Sequence, residues 1–381
     1  NQLIQMTVLN KAAKDAGFEF TDDMQAQVDK NMDQLASYAK QKGVSTAAYL
    51  KNVYGKNMTT SVFKKLLTEG IYVSAYDQSY QNDLSYTDDQ IAAYYADNKN
   101  DFDVVNYEYI LFKGTADSTK DDSGNTVQPT DEQNAAALAA AQEAATAALS
   151  RAKAGGSLED IAKDYDMATY SSQEEGTYNS ASALSAWVFD ASRQSGDCDM
   201  VNDGSNYYIA IDHSRTRHDY TTVDVRHILF RVDTSDLDSS ADDYQTKLDE
   251  RKAEQKQAAE DALQKWKDGA ATEESFAELA NELSDDGGSN TAGGLYTEVY
   301  KGMMVTEFND WCFDASRKDG DTGIVDTTYG SHVMYFVGYD LPAWAASVTS
   351  DLQEKAASEW STALSENADV QQSDFGMKFV G

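Results

Sequence analysis

Few side chains in this sequence are suited to acid–base or nucleophilic chemistry. The chain has four histidines and two cysteines. Cys198 and Cys312 lie in different parts of the chain without metal-ligand spacing, and two unpaired thiols are preferred over a disulfide because disulfide geometry is demanding. His227 and His332 stand in β-rich segments and are of the type whose charge changes near neutral pH. Each histidine can either support the fold as a buried hydrogen-bonded group or serve an active site.

Both histidines belong to a series of six short sequence blocks that follow one another between residues 225 and 332. The blocks are Val225-Arg-His-Ile-Leu-Phe230, Ser275-Phe-Ala-Glu-Leu-Ala280, Ser284-Asp-Asp286, Gly293-Gly-Leu295, Gly302-Met-Met-Val-Thr-Glu-Phe308 and Tyr329-Gly-Ser-His332. In content and order they resemble the parvulin family of peptidyl-prolyl isomerases. The whole chain resembles the secreted foldases of the PrsA and SurA type, although the flanking segments do so only by pattern and arrangement.

The resemblance implies rotation about X-Pro peptide bonds as the reaction. The barrier to that rotation, about 18–20 kcal/mol, comes from amide resonance. An enzyme lowers it by holding the proline ring in an apolar pocket while weakening the conjugation of the carbonyl group, which stabilises the twisted state selectively. Such a reaction requires neither a nucleophile nor a metal, and we expect no cofactor.

The resemblance also implies which residues form the site. It gives catalytic roles to His227, Asp286 and His332, and substrate binding to Leu295, Met304, Phe308 and Tyr329. The histidines would form a hydrogen-bonded pair on adjacent strands beneath the substrate amide, with the aspartate facing the bond. Met304 and Phe308, four residues apart on one face of a short helix, would form an apolar cup with Leu295 beside them.

Each of these residues also has a purely structural interpretation. A methionine and a phenylalanine at helical spacing are, taken alone, ordinary core residues. The histidine pair can equally well be a scaffold for the fold. Asp286 stands next to Asp285 in an acidic chain and can be a solvated loop residue. The surrounding blocks favour the functional interpretation for Met304 and Phe308.

The sequence contains an internal repeat. Tyr109-Ile-Leu-Phe112 matches His227-Ile-Leu-Phe230 at a shift of 118 residues, and Trp187-Val-Phe-Asp-Ala-Ser-Arg193 matches Trp311-Cys-Phe-Asp-Ala-Ser-Arg317 at a shift of 124. The second copy is therefore six residues longer between the blocks. Each copy has a strand, a long helix, a short helix, a further helix and a final strand, which is an α+β order.

The first copy lacks the candidate site residues of the second. The two shifts set His227 against Tyr109, Asp286 against Ala168, Met304 against Ser180, and Phe308 against Leu184, while the closing Gly-Ser blocks set His332 against Asn206. We therefore expect a degenerate parvulin-like module, kept for packing or for holding chains, without isomerase activity.

The segments that flank the two modules predict helices. Residues 1 to about 100 have apolar stripes at helical spacing, and the segment after Pro342 does as well. We expect these segments to pack together. The predicted fold class is α+β, with two tandem parvulin-like modules, each a small antiparallel sheet with surrounding helices, plus an all-helical chaperone-like body. The expected domains are 1–104 (helical), 105–218 (degenerate module), 219–341 (isomerase module) and 342–381 (helix packing on the first domain).

Composition limits the classes of partner. There are 65 acidic and 31 basic residues, for a net charge of -34, which argues against nucleic acid because like charges repel. No apolar run reaches the eighteen or so residues of a membrane helix, and no secretory signal is visible. From the resemblance we expect an extracytoplasmic bacterial protein, cell-surface anchored or secreted; an anchor outside the given residues and a homodimer both remain open.

The sequence suggests three hypotheses for the function, of which one is preferred. The leading hypothesis is a foldase that isomerises X-Pro bonds in unfolded secreted polypeptides and also acts as a chaperone. The alternatives are a holdase without catalysis, and a surface structural protein that uses parvulin-like folds as a scaffold.

Overall fold

The computed structural model describes residues 2–368. Within them the chain forms two compact units. One unit combines the residues up to Asp88 with Thr222–Leu341 and the chain from Thr349 onward, and the other combines Asp89–Thr221 with Pro342–Val348. The last part of the expected domain 342–381, residues 369–381, lies outside the described residues. No helix among residues 2–368 has the length and apolarity needed to span a bilayer.

The N-terminal region is helical, as its stripes predict. Its helices are α1 (Gln2–Asp15), α2 (Asp22–Gln41), α3 (Thr46–Tyr54), α4 (Thr60–Asn82), α5 (Asp88–Asp97) and α6 (Lys99–Phe102). Thr21, Ser45 and Thr59 cap α2, α3 and α4, because each side-chain oxygen accepts a first-turn N–H that has no partner within the helix. Local sequence therefore sets where these helices begin.

The first module is built on a four-stranded antiparallel sheet with the strand order β4-β1-β6-β5. Its elements are β1 (Asp103–Lys113), the short hairpin β2 (Thr119–Lys120) and β3 (Thr126–Val127), α7 (Asp131–Lys153), α8 (Leu158–Ala162), β4 (Ala168–Gly176), α9 (Ala183–Val188), β5 (Cys198–Asn202) and β6 (Asn206–Arg217). The alanine-rich segment that begins at Asp131 forms α7, and its buried alanines pack against the sheet.

The second module repeats this arrangement with the strand order β8-β7-β10-β9. Its elements are β7 (Thr221–Arg231), α10 (Tyr244–Asp268), α11 (Glu273–Leu283), β8 (Leu295–Val299), α12 (Thr306–Cys312), β9 (Thr322–Asp326) and β10 (Gly330–Pro342), followed by α13 (Ala343–Glu366). Gly269 follows the last residue of α10 as its C-cap.

A shared irregularity supports the duplication. In β4 and β8, Glu175 and Glu298 have positive φ angles of 49° and 50°. Each donates its backbone N–H to a side chain of the adjacent strand, Asn106 at 2.7 Å and Asp224 at 2.9 Å. The same local bulge interrupts the pairing of both strand pairs. The α+β fold with two parvulin-like modules and a helical body is confirmed.

Helix α13 contacts the N-terminal helices within their common unit. The Trp360 ring stacks on Tyr80 with centroids 4.2 Å apart, and it meets the edge of Tyr76 at 5.6 Å. Gln5 Nε2 donates to Ser361 Oγ at 2.9 Å. Helix α13 therefore packs on α4 through aromatic rings and is hydrogen-bonded to α1.

The sheet of the second module has a core on each face. Phe276, Leu279 and Val333 belong to the cluster under α10 and α11, whereas Phe308 and Met334 belong to the cluster under α12. Side chains alternate between the two faces of a strand. His227 and His332 therefore lie on the α12 face, because they are in phase with Val225 and Met334.

Candidate active site

The two histidines predicted from sequence meet on neighbouring strands. His227 on β7 and His332 on β10 are both buried, and their Nδ1 atoms are 3.0 Å apart. The rings are nearly parallel, with an interplanar angle of 23° and centroids 5.2 Å apart. Two nitrogens at this distance share one proton, so at most one of the two carries hydrogen at Nδ1.

When both imidazoles are neutral, the outer nitrogens of the pair set the direction of the hydrogen bonds. His227 Nε2 lies 3.0 Å from Asp286 Oδ2, and a carboxylate can only accept, so this nitrogen donates. His227 Nδ1 then accepts from His332 Nδ1–H, and His332 Nε2 accepts the hydroxyl proton of Thr327 at 2.9 Å. Burial and the neighbouring His227 lower the pKa of His332 to about 4, so this imidazole is neutral near pH 7.

Asp286 is part of this network and not a solvated acid. Its Oδ2 also accepts hydrogen bonds from Ser289 Oγ at 2.6 Å and Tyr296 Oη at 2.9 Å, and its Oδ1 accepts from the Gly288 N–H at 3.2 Å. The hydrogen bond from His227 and then those from the loop and Tyr296 hold the pKa of Asp286 well below its usual range, against the opposing effect of burial. The carboxyl group is therefore ionised.

The loop that carries Asp286 is anchored to β7 at both ends. Ser284 Oγ accepts the Leu229 N–H at 3.0 Å, and the Gly294 carbonyl accepts the His227 N–H at 2.9 Å. Gly294 has φ +70° and comes so close that a Cβ there would lie 2.2 Å from the His227 carbonyl oxygen. Glycine is required at this crossing.

An aromatic ring predicted to belong to the apolar cup packs against the imidazole pair. The buried Phe308 ring presents itself at 83° to both imidazoles, with centroids 5.4 Å from His227 and 5.5 Å from His332. Met304 and Tyr296 are partly buried and pack on the same cluster as Phe308. The structure thus brings Phe308 to the histidines and Met304 to the cluster of Phe308. The prediction that both residues lie on one face of a helix is wrong for Met304, because α12 begins at Thr306 and Met304 lies in the bend before it.

Leu295 is placed differently from its neighbour Tyr296. Leu295 pairs with Arg226, whose guanidinium binds Glu273 at 2.9 Å, and it is not part of the cluster around Phe308. Tyr296 is in that cluster, and its ring is 5.4 Å from His227. Consecutive strand residues face opposite sides, so of the two it is Tyr296 that lines the cup.

Tyr329 lies at the turn between β9 and β10. Its ring is 56% exposed, and its backbone N–H donates to Thr327 Oγ1 at 3.1 Å. Its connection with the histidine pair therefore runs through Thr327. Gly330 follows Tyr329 and has φ +146°. It lies so close to the Phe230 carbonyl group that there is no room for a Cβ.

Three residues of the network are absent from the sequence-based site: Ser289, Tyr296 and Thr327. Strand alternation counted from His227 and Gly294 could have identified Tyr296, because it selects Tyr296 over Leu295. Thr327 could have been found from its position five residues before His332, across a tight turn. Ser289 gives no signal, since its place depends on how the loop folds back onto Asp286.

The first module has aromatic side chains where the second has its histidines. Tyr208 pairs with Val201 of β5 as His332 pairs with Val325 of β9, and so Tyr208 is the counterpart of His332. The alignment with Asn206 is wrong by two residues, because the two Gly-Ser pairs occupy different positions in turns of equal length. Tyr109, the counterpart of His227, faces Tyr208 at 5.8 Å.

Two further differences separate the modules. Tyr208 Oη donates to Asp203 at 2.8 Å, at the position where Thr327 contacts His332, and burial with this bond raises the pKa of Tyr208 to about 12. Ala168, which the sequence alignment sets against Asp286, is the first residue of β4 and not part of a loop. Ser171 of the same strand pairs with Tyr109. The residues added to the second copy form the loop with Asp286 and Ser289, which the first module lacks.

Parts of the chain are similar in sequence to known proteins. Residues 208–337 match the family model described as PPIC-type PPIASE domain. Foldase protein PrsA 1 of Listeria innocua is 39% identical over 64 residues, 17% of this chain and 22% of the relative, and Foldase protein PrsA 1 of Listeria monocytogenes is 38% identical over 64 residues, with the same two coverages. The chain thus matches 22% of the length of these curated relatives.

Two solved structures are similar over most of the chain. PrsA from Bacillus subtilis has 16% identity and a TM-score of 0.38, with 100% of this chain and 86% of that chain covered. A structure described with the SurA-like chaperones PEB4 and Cj1289 of Campylobacter jejuni has 14% identity and a TM-score of 0.23, with 96% and 94% covered.

Proposed function

We propose, from the membership of residues 208–337 in the PPIC-type PPIase domain family, that the second module catalyses cis/trans isomerisation of X-Pro peptide bonds. The observation that carries the proposal is the contact between the imidazole pair and the Phe308 ring. A proline ring bound on Phe308 and Met304 places its amide beside His227 and His332. No covalent bond is made or broken in this reaction.

The physical basis of the rate enhancement is the polarity of the cup. A planar amide is stabilised by charge separation between its oxygen and its nitrogen, and the twisted amide has less of it. Transfer from water to an apolar cup therefore destabilises the planar state more than the twisted one. Because hydrogen bonds join the imidazoles to each other, His227 to Asp286 and His332 to Thr327, the pair forms a fixed polar floor beneath the cup.

In this proposal His227, Asp286 and His332 form the polar part of the site, and Met304, Phe308 and Tyr329 bind substrate. Leu295 is given a supporting position on the opposite side of its strand, with Tyr296 lining the cup. The domain division 1–104, 105–218, 219–341 and 342–381 belongs to the same proposal. The first module, without the acid loop and the histidines, is assigned no isomerase activity.

The substrates are unfolded or partly folded polypeptides that contain X-Pro bonds. Helices α3 and α4 support a chaperone role, because they expose large apolar side chains, among them Tyr54 at 56% and Val53 at 52%. Single exposed apolar residues are common on protein surfaces, whereas a contiguous exposed patch marks an interaction surface. The extracytoplasmic location, a membrane anchor and a homodimer are part of the proposal by similarity to the foldases.

Isomerase activity can be tested with two matched variants of the full chain, one at Phe308 and one at Leu184. Phe308→Ala removes the ring beside the imidazole pair in the second module, and Leu184→Ala removes the residue that the shift of 124 aligns with it in the first. In an assay of proline isomerisation in a short peptide, we expect Phe308→Ala to abolish most of the activity and Leu184→Ala to retain it. Met304→Ala, at a partly buried position, repeats the test at lower cost to the fold. Wild-type rates equal to the uncatalysed rate would refute the proposal and favour a holdase, which suppression of aggregation would then reveal.

A further inference from the structure

We infer that Tyr296 and Ser289 are positioning residues that hold the Asp286 carboxylate in place and thereby fix the protons on the imidazole pair, with Tyr296 also forming one wall of the cup. This inference rests on the proposed isomerase function for its kinetic consequence. Its structural part stands independently, because the arrangement of protons can be observed without substrate.

The first ground is the crowding of donors on one oxygen. Asp286 Oδ2 receives His227 Nε2 at 3.0 Å, Ser289 Oγ at 2.6 Å and Tyr296 Oη at 2.9 Å. A carboxylate oxygen has two lone pairs, so three donors occupy its acceptor capacity. Oδ2 is therefore occupied by groups of the chain itself, and Asp286 acts on the reaction through His227.

The second ground is that the two hydroxyl groups come from separate elements and converge. Ser289, buried to 1% exposure, lies on the loop itself, and its Oγ also stands 3.2 Å from His227 Nε2. Tyr296 approaches from β8, and burial followed by its bond to Asp286 raises its pKa to about 12, so it remains a donor at all physiological pH values. The carboxylate is thus fixed from two sides.

The third ground is the consequence for the imidazoles. With Oδ2 fixed, a neutral His227 carries its proton on Nε2 and accepts on Nδ1, and His332 then donates from Nδ1 and accepts on Nε2. If the carboxylate turns away, His227 loses the acceptor that selects this tautomer, and the opposite one becomes accessible. Tyr296 and Ser289 therefore control which imidazole nitrogens of His227 and His332 donate hydrogen bonds.

The ring and the hydroxyl group of Tyr296 have separable effects. The ring packs with Phe308 and Met304 and contacts His227 at 5.4 Å, so it contributes to binding of the proline. The hydroxyl group contacts only the polar side. Tyr296→Phe keeps the ring and removes the hydroxyl group, whereas Tyr296→Ala removes both.

The experiment uses the full chain and two measurements. Imidazole nitrogen NMR at neutral pH without substrate should show one tautomer for each of His227 and His332 in the wild type, and a mixture in Tyr296→Phe and in Ser289→Ala. With a proline-containing peptide, we expect Tyr296→Phe to lower kcat about tenfold, as expected for one hydrogen bond to a charged group, with KM within about twofold. Tyr296→Ala should raise KM as well.

Controls separate this role from a general loss of structure. Tyr339→Phe, which removes an exposed hydroxyl group from the same module, should change neither measurement. Ser289→Thr keeps a hydroxyl group and should restore the single tautomer that Ser289→Ala loses. Unchanged tautomers in both Tyr296→Phe and Ser289→Ala would overturn the inference. A wild type with the single tautomers and no isomerase activity would refute the proposed function and leave the positioning role supported.

Discussion

Tyr208 of the first module occupies the strand position that His332 occupies in the second. Its ring faces Tyr109 at 5.8 Å, as the ring of His332 faces His227 at 5.2 Å. The duplicated fold thus keeps a pair of rings at this crossing of strands in both copies, and only one copy has ring nitrogens that can relay hydrogen bonds. The difference in chemistry between the modules is a difference in two side chains and one loop.

The relative importance of the side chains and the loop can be tested by placing histidines in the first module. In a full chain inactivated by Phe308→Ala, the double substitution Tyr109→His and Tyr208→His should not restore isomerisation of a proline-containing peptide, because the first module has no loop with counterparts of Asp286 and Ser289 beside residue 109. Restored activity would show that the imidazole pair alone is sufficient.

The pH dependence of stability should reveal the buried histidine pair. The folded-state pKa of His332, about 4, lies below its ordinary value of 6.5, so the unfolded chain binds this proton more tightly. The stabilisation is therefore complete above pH 6.5 and is lost as the pH falls from 6.5 towards 4. At about 1.4 kcal/mol per pKa unit, the loss is on the order of 3 kcal/mol.

Urea unfolding of the wild type and of His332→Gln at several pH values between 4 and 7 measures this effect. The wild type should lose more stability across the window than the variant. Asp286 contributes separately, since its pKa is depressed: its stabilisation is present above the ordinary carboxyl value and is lost only below about pH 4. Parallel curves for the two proteins would contradict a neutral buried His332.

Replacement of Asp286 by alanine should destabilise the protein more than replacement of its sequence neighbour Asp285. Asp286→Ala leaves His227, Ser289 and Tyr296 without their acceptor, and we expect a loss of about 3 kcal/mol in unfolding free energy because unmet buried donors are costly. Asp285→Ala removes an exposed acceptor for the Arg231 N–H and should cost about 1 kcal/mol or less.

A double-mutant cycle tests whether Asp286 and Tyr296 act as a unit. If the hydroxyl group of Tyr296 stabilises the fold through Asp286, Tyr296→Phe should cost little in a chain that already has Asp286→Ala. The coupling between the two substitutions should then reach about 1–2 kcal/mol, as measured by urea unfolding. Additive losses would show that the two residues contribute independently.

Much of the fold follows from local patterns in the sequence, and the site follows less completely. The repeat predicts two modules, because blocks such as Trp187–Arg193 recur in the second copy, here as Trp311–Arg317 with six of seven residues identical. Helix ends follow from caps such as Thr21 and Gly269. The tautomers and the contacts of Ser289 depend instead on how a loop folds in three dimensions. The Leu295 placement shows the same limit, since a shift of one residue reverses the face of a strand.

Gly294 and Gly302 provide a matched test of the close approach at the site. Both have positive φ, +70° and +80°, so alanine is strained at either position, at a cost of about 1–2 kcal/mol. A Cβ at Gly302 meets no atom within 4 Å, whereas a Cβ at Gly294 would lie 2.2 Å from the His227 carbonyl oxygen. Gly294→Ala must therefore also push the loop away from β7. We expect Gly302→Ala to lose only the backbone cost, and Gly294→Ala to lose clearly more stability in urea unfolding and to disturb the imidazole NMR signals. Equal losses would mean that the loop can move away from His227 without consequence, and the rigid connection between the loop and the histidine pair would then be refuted.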